Sequence, residues 1–392
     1  ITMAKSGRTS LNRDIDFLRN RIGVPMIHVE TLGAGGGSIG HVNNFGMLEV
    51  GPQSAGATPG PASYGKGGEL PTVTDANLVL GYFEPDAVLG GCVTLDKDKA
   101  LQAVQKHIAD PLNIDLAHAA FGISAIVNQN MSNAIRRITI EKGYDPRDFA
   151  LICAGGAAGM HIIALAEEMG IGTILIPKIA SCLCAFGQII SDIKYNYLAT
   201  QMMILAPDVE LRALNAKLQE LEAQGVQKLL EDGFIDDDIT IERTMEMRYV
   251  GQVHECNVLI PNGKLDADSV QTILEAFHHR HKELYTYDER DNKVELVNIE
   301  VAVIGKISKP KLPTLPAQQG DISRAKTGSR EMLFDQSYDW IETPIYDGEK
   351  FGAGAVVTGP ALIQEPTTTV VIKDGWQAEL HETGTYKLTR AA

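Results

Sequence analysis

The chain has 392 residues, which at roughly 100–200 residues per domain predicts two or three domains. Hydrophobic residues make up 44% and charged residues 22%, a globular balance that excludes a mostly disordered chain. Net charge is −15, so a sequence-independent grip on nucleic acid or on an anionic membrane is not expected. No run approaches the roughly 18 apolar residues of a membrane span, and no signal peptide is visible. Five cysteines do not make a disulfide framework, and the count suits a reducing cytoplasm. Glycine is clustered: of 38, twelve lie between Gly33 and Gly68, about a third of the glycine in under a tenth of the chain.

The chain opens Ile1-Thr2-Met3-Ala4, without an initiator methionine, which predicts a processing site, a split-subunit boundary or a cloning edge. A charged, turn-rich stretch, Lys5–Arg13, precedes an apolar run around Val24–Val29. Ile27–Leu32 reads as a strand entering the glycine cluster. Asp115–Lys142 reads as a long helix or helix pair, with Val127, Met131, Ala134, Ile135 and Ile138 on one face. Gly143 and Asp145-Pro146 end it. A short buried strand is predicted at Phe149–Cys153, a helix at Gly159–Met169 closed by Gly170, and a strand at Thr173–Ile176. The alternation predicts an α/β layer structure.

A second block begins with a helix carrying Leu211, Leu214, Leu218 and Leu221 on one face. Ile239–Tyr249 and Cys256–Ile260 keep a period of two and read as a hairpin. A helix follows, with Val270, Ile273, Leu274, Phe277, His281 and Leu284 on one stripe, then a strand at Val294–Val303. This is an α+β subdomain. Pro310, Pro313 and Pro316 mark a stiff linker. Beyond it, short strand signals alternate with turns such as Thr358-Gly359-Pro360, which predicts a small β domain. The expected divisions are 1–205, 206–310 and 311–392.

Gly33-Ala34-Gly35-Gly36-Gly37-Ser38 heads the glycine cluster. Such a loop allows close approach of a ligand or chain, and its successive N–H groups can form an anion nest. It matches neither G-x-x-x-x-G-K-[ST] nor G-x-G-x-x-G, so a tight structural crossing is the competing reading. Val50–Tyr64 and Pro71–Asn77 continue as a long ordered loop of the kind that carries function. Asp75 and Asn77 are candidates to orient a substrate or a metal-bound water, against helix capping by Thr74 or Asp75. A second strand–glycine–helix element, Leu151–His161, offers Gly155-Gly156 and a helix N-terminus, with His161 in its first turns. A structural histidine is the alternative there.

These segments resemble the hydantoinase A family, also called the hydantoinase/oxoprolinase family, which includes N-methylhydantoinases, 5-oxoprolinases and subunits of acetone and acetophenone carboxylases. The matching stretches are Gly33–Ile39, Val50–Tyr64, Pro71–Gly81, Asn130–Phe149, Gly155–His161, Arg248–Gln252 and Gly359-Pro360-Ala361. The resemblance implies an actin-like (ribonuclease H-like) α/β ATPase lobe, followed by the α+β subdomain and the small C-terminal β domain. It implies that MgATP (or the manganese complex) phosphorylates a carbonyl or amide oxygen, creating a good leaving group on an inert small-molecule substrate.

By resemblance, Gly33, Gly35, Gly36, Gly37, Ser38, Gly155 and Gly156 would bind the nucleotide; Asp75, Asn77 and His161 are the candidates for the chemistry. Gly155–His161 departs from the family text G-G-A-G-P-x-H, although His161 keeps its place. The family's aspartate- and glycine-rich phosphate loops, of the D-x-G-G-T kind, are absent. The chain is therefore expected to be roughly the second half of a subunit, inactive alone, that works in a hetero-oligomer with the missing N-terminal lobe and a hydantoinase-B-type subunit. Cyclic amide hydrolysis is the expected reaction. Ketone carboxylation is the alternative, and an assembly subunit without its own activity is a further one.

Other residue sets point elsewhere. His254, Glu255 and Cys256 alternate across a strand and cannot all chelate one ion. His281 is expected in the core, with His278 and His279 solvent-facing. Cys182 and Cys184 read as packing cysteines. Arg136 and Arg137 suit phosphate or a partner subunit, or a salt bridge to Glu141. No metal-ligating set is expected.

Overall fold

A computed structural model describes the chain except residues 6, 10, 13, 14, 18, 19, 23–25, 86, 90, 92 and 392. The fold is mixed α/β. Val24 and Pro25, part of the apolar run, lie outside the described residues. The predicted strand Ile27–Leu32 does not form: Met26–Ile27 pairs with Leu11–Asn12, and residues 28–32 join no strand. The hairpin forms after the glycine loop instead, from Ser38–Val42 and Leu48–Ser54.

Two compact units divide the chain, residues 1–184 with 312–392, and residues 185–311. This differs from the three expected blocks in two respects. Strand Ile193–Leu205, expected with the first block, pairs antiparallel along Val294–Gly305 in the sheet of the second unit. Residues 311–392 form no separate domain. Thr385–Arg390 pairs antiparallel with Thr173–Pro177, so the C-terminal strands extend a sheet begun two hundred residues earlier. Its order runs Leu151–Ile152, Thr173–Pro177, Thr385–Arg390, Trp376–Leu380, Val356–Thr358, and only the first pair is parallel. Strand 173–177 would otherwise expose its outer backbone edge, an unfavourable arrangement that the C-terminal chain removes.

A second, four-stranded sheet in this unit joins Lys326–Leu333, Trp340–Asp347, Ala361–Glu365 and Thr368–Ile372. The C-terminal strands and the early helices share both apolar cores. One gathers Ile163, Ile174, Ile176, Trp376 and Tyr386; the other gathers Leu78, Ile108, Ile123, Met332 and Leu362. Each such fully buried side chain contributes about 1.5–3 kcal/mol, so the two segments of this unit are energetically inseparable. The seam also carries polar contacts. Lys178 pairs with the buried Glu365 at 2.9 Å, and the Tyr386 hydroxyl donates to the same carboxylate.

The long helix forms as predicted, Leu116–Ile138, capped by Asp115, with Val127, Ala134, Ile135 and Ile138 buried. A 3-10 turn at Ile140–Lys142 ends at Gly143 in the left-handed region. Leu151–Ile152 is shorter and more exposed than the predicted buried strand, Ile152 being 63% accessible. Helix Ile162–Met169 stops at Gly170, also left-handed.

The 185–311 unit is an antiparallel sheet in the order Ile193–Leu205, Val294–Gly305, Ile239–Tyr249, Cys256–Ile260. Helices Arg212–Glu231 and Ala267–Tyr285 supply Leu214, Leu218, Ile273 and Phe277 to its core. Gly225 lets the first helix lie close to the sheet, since a Cβ there would stand 2.3 Å from Val303 Cγ2. His281 is fully buried as expected. His278 is buried too, contrary to expectation, because its Nδ1 meets the Tyr249 hydroxyl at 2.7 Å. Cys182 and Cys184 are exposed, so they are not packing residues. Arg136 and Arg137 meet Glu168 and Glu30 instead of Glu141.

Candidate functional site

The glycine loop is closed by its own serine. The Ser38 amide donates to Gly35 O at 3.0 Å, and its Oγ accepts from the Gly35 amide at 2.9 Å while donating to Gly33 O at 3.3 Å. The next two carbonyls turn inward as well. Gly36 O accepts from the Thr74 amide at 2.8 Å and the Thr74 hydroxyl at 2.9 Å, and Gly37 O accepts from the Ala55 amide at 2.9 Å. With the carbonyls engaged, the Gly36 and Gly37 amides have no hydrogen-bond partner among the described residues. Adjacent unpaired N–H groups on one short turn suit an anion. A side chain at either glycine would force a neighbouring hydroxyl to move. A Cβ on Gly36 would stand 2.7 Å from Thr74 Oγ1, and one on Gly37 would stand 2.8 Å from Ser54 Oγ.

Helix Val73–Val79 anchors this loop. Its N-cap is Thr72, completed as a capping box by Asp75, and not by Thr74 or Asp75 alone. Asp75 does more than cap. One carboxylate oxygen accepts from the Ala62 amide (3.2 Å), the Thr72 amide (2.8 Å) and the Thr72 hydroxyl (2.8 Å); the other accepts from the Ser63 amide (2.8 Å). The side chain has no accessible surface. This geometry fastens the end of the ordered loop 51–64 to the helix start and leaves Asp75 no open face toward a ligand.

Asn77 and His161 meet. Asn77 Nδ2 lies 3.1 Å from His161 Nε2, and His161 Nδ1 lies 2.8 Å from Asn128 Oδ1. As placed, the Asn77 amide donates to Nε2 and the ring donates from Nδ1 to Asn128. Burial pushes the His161 pKa down to about 4, so the ring is neutral at physiological pH. The Asn77 Oδ1 is buried without a partner. His161 is the residue just before helix Ile162–Met169, so this amide–imidazole–amide chain links three helices. Asn128 escaped the sequence reading. Its only signal is a polar residue beside Val127 on the buried face of a long helix.

At the second glycine element, the Gly155 amide donates to Ala180 O at 2.7 Å with φ +108°, and Gly156 O accepts from the Thr368 hydroxyl at 3.0 Å. Strand Thr368–Ile372 presses on this turn. A Cβ on Gly156 would stand 2.9 Å from Thr367 O, and one on Gly159 would stand 2.4 Å from Thr369 O. These glycines thus serve backbone contact with the C-terminal hairpin. The structure brings Gly36, Thr74, Asn77 and His161 into one connected set. Nothing local in the sequence announces that the C-terminal strands pack on Gly156 and Gly159.

No described residues form a group of three or more His, Cys, Asp or Glu side chains able to hold a metal ion. His254 is exposed and Cys256 buried, so that pair does not converge. No helix among the described residues is long and apolar enough to cross a membrane.

Comparison with known proteins is consistent with this architecture. Residues 1–197 match the hydantoinase/oxoprolinase family model and residues 208–391 its C-terminal domain. The chain is 51% identical over 391 residues to caprolactamase subunit alpha of Pseudomonas jessenii, covering 99% of this chain and 56% of that one. It is 34% identical to the acetophenone carboxylase gamma subunit of Aromatoleum aromaticum, covering 90% of this chain and 49% of that protein. The crystal structure of the ATP-dependent caprolactamase from Pseudomonas jessenii superposes with a TM-score of 0.86 at 50% identity, covering all of this chain and 57% of that one. A nucleotide-free acetone carboxylase structure gives 0.82 at 26% identity, covering 98% of this chain and 56% of that one. The chain therefore spans about half the length of these relatives. It belongs to the hydantoinase/oxoprolinase family.

Proposed function

We propose that this chain is the C-terminal half of an actin-like, ATP-dependent subunit that activates the carbonyl oxygen of a cyclic amide for hydrolysis. The observation that carries the reading is the loop at Gly36-Gly37, whose carbonyls are tied inward and whose amides are unpaired. That arrangement fits phosphate oxygens. When bound, ATP with its magnesium (or manganese) ion would supply the transferable phosphoryl group, and the Gly36 and Gly37 amides would hold its phosphate oxygens. In this reading Gly33, Gly35, Gly36, Gly37 and Ser38 form the phosphate side. Gly155 and Gly156 shape the neighbouring backbone. Asp75, Asn77 and His161 act through position: they fix the helix that holds Gly36 and keep a neutral, proton-holding imidazole between two amides.

The likeness to a caprolactamase subunit supports a lactam-type substrate. Relatives named as alpha, beta and gamma subunits support a hetero-oligomer; the partners in this reading are a hydantoinase-B-type subunit and the preceding ATPase half. A second reading, ATP-dependent ketone carboxylation, has its own support in the acetone carboxylase superposition. ADP release separates the two. With the partner chains present, release stimulated by lactams, hydantoins or 5-oxoproline supports hydrolysis. Release stimulated only by ketones with bicarbonate supports carboxylation. No substrate-dependent release supports an assembly role.

A further inference from the structure

The Arg248–Gln252 stretch, one of those that carry the family resemblance, takes no part in the glycine-loop site. It lies in the 185–311 unit, at the end of strand Ile239–Tyr249 and against helix Ala267–Tyr285. There it meets two histidines one helical turn apart, His278 and His281. Both are buried, beside the fully buried Tyr249 and Phe277. The Tyr249 ring centroid lies 4.9 Å from that of Phe277, 4.8 Å from His281 and 5.7 Å from His278.

The hydrogen bonds fix where each proton sits. The Glu289 amide donates to the Tyr249 hydroxyl oxygen at 2.8 Å, so the hydroxyl proton goes to His278 Nδ1 at 2.7 Å. Burial raises the Tyr249 pKa, which keeps that proton on the phenol. His278 Nδ1 is therefore an acceptor, and the proton of its neutral ring is on Nε2. The second histidine is ordered in a similar way. The Tyr249 amide donates to Gln252 Oε1 at 3.3 Å, which turns Gln252 Nε2 toward His281 Nε2 at 3.1 Å and leaves His281 Nδ1 to donate to Tyr287 O at 2.8 Å.

Both chains of bonds end on the segment 286–292, which joins the helix to strand Val294–Gly305. One reaches Tyr287 O; the other passes through Tyr249 to the Glu289 amide. The segment starts from a strained residue. Thr286 has φ +72°, a left-handed conformation that a β-branched residue rarely adopts.

The charged groups around His278 are engaged with one another. Glu275 on the helix and Asp288 on the segment pair with Arg290 at 2.9 and 3.0 Å, and Lys282 stands 3.8 Å from Asp288. In the turn 250–255, His254 is exposed and Glu255 pairs with Arg248 at 3.4 Å. Strand Cys256–Ile260, in the same core, brings the Cys256 thiol and no charged side chain. Burial and then Arg290 hold the His278 pKa below the ordinary histidine value, against Glu275 and Asp288.

We propose that Tyr249 and His278 form an acid-released clasp on the segment 286–292. A proton added at Nδ1 turns the acceptor into a second donor facing the Tyr249 oxygen, and the hydroxyl proton loses its acceptor. Turning the hydroxyl to serve the charged ring gives up the Glu289 amide, and the segment loses that anchor. Because the His278 pKa is depressed in the fold, the clasp contributes fully above the unfolded value of about 6.5 and is lost as pH falls below it.

Hydrogen–deuterium exchange on the 392-residue chain tests this, read as protection factors so that the intrinsic pH dependence of exchange cancels. Between about pH 7.5 and about pH 5.5, protection over 286–292 should fall about three- to tenfold, the loss expected for one ordinary hydrogen bond, while strands 239–249 and 294–305 keep theirs. Tyr249→Phe lacks the hydroxyl and should show the lower protection at both pH values. His278→Gln takes up no proton in this range and should show the same protection at both. Equal protection at the two pH values in the unaltered chain, a pH-dependent loss that persists in His278→Gln, or full protection in Tyr249→Phe would each overturn the proposal. So would a loss spread equally over the two strands, because the whole unit would then be opening. If His278→Gln does not melt cooperatively, the unaltered chain and Tyr249→Phe decide.

Discussion

Asp75→Asn separates a holding role from a chemical one. The carboxylate accepts four hydrogen bonds, three on one oxygen and one on the other. Asparagine offers one oxygen and one NH2. Its better orientation keeps the three-donor side and turns the NH2 toward the Ser63 amide, donor against donor. Losing a hydrogen bond to a charged acceptor costs about 1.5–3 kcal/mol, and the stranded Ser63 amide adds about 1–3 kcal/mol. The three remaining bonds weaken as the charge is lost. A destabilisation of about 3–5 kcal/mol follows. Urea titration followed by tryptophan fluorescence is the assay, because Trp340 and Trp376, the chain's two tryptophans, both lie in the unit that contains Asp75. With a slope of roughly 1–3 kcal/mol per molar urea, the midpoint should fall by about 1 M or more. A loss under about 1 kcal/mol, accompanied by loss of assembled activity, would refute this reasoning and return Asp75 to the chemistry.

The other predictions concern neighbouring contacts. Gly159→Ala places a methyl 2.4 Å from Thr369 O, on strand backbone that cannot step aside, so the same fluorescence assay should show a loss of about 2 kcal/mol or more. Gly36→Val meets Thr74 Oγ1 at 2.7 Å and disturbs the bond from Thr74 to Gly36 O; ADP release by the assembled enzyme should fall at least about tenfold with circular dichroism unchanged. His161 has a depressed pKa in the fold, so its contribution to stability is full above the unfolded value of about 6.5 and is lost as pH falls toward about 4. That loss is at most about 3 kcal/mol. His161→Gln should flatten the stability profile across this window, as measured by urea midpoints at a series of pH values.

Local elements were legible where one periodicity ruled. The 116–138 helix, the hairpin 239–260 and the stops at Gly143 and Gly170 follow from apolar spacing and glycine conformation. Assignments that depend on distant pairing were not legible. Ile193–Leu205 alternates like any half-exposed strand, and only its register with Val294–Gly305 decides its unit. Nor does anything local in Thr385–Arg390 announce a partner at Thr173–Pro177.

The site shows the same division. Gly36 and Gly37 could be chosen from sequence because glycine in a loop signals close approach. Asp75 was read as a possible chemical group because its four donors come from residues 62, 63 and 72, which converge only in the fold. Asn128 was missed because its partner, His161, lies a further glycine turn along the chain.

The central claim is that this chain contributes half of an ATP-dependent site acting on a cyclic amide. Its most direct test is ADP release measured with the chain alone, with the preceding ATPase half added, and with a hydantoinase-B-type subunit added to both. The account predicts no release from the chain alone, and release coupled to ring opening of a lactam once both partners are present. Substrate-dependent ADP release by the chain alone, or an assembled complex that releases ADP with no cyclic amide tested, would contradict it.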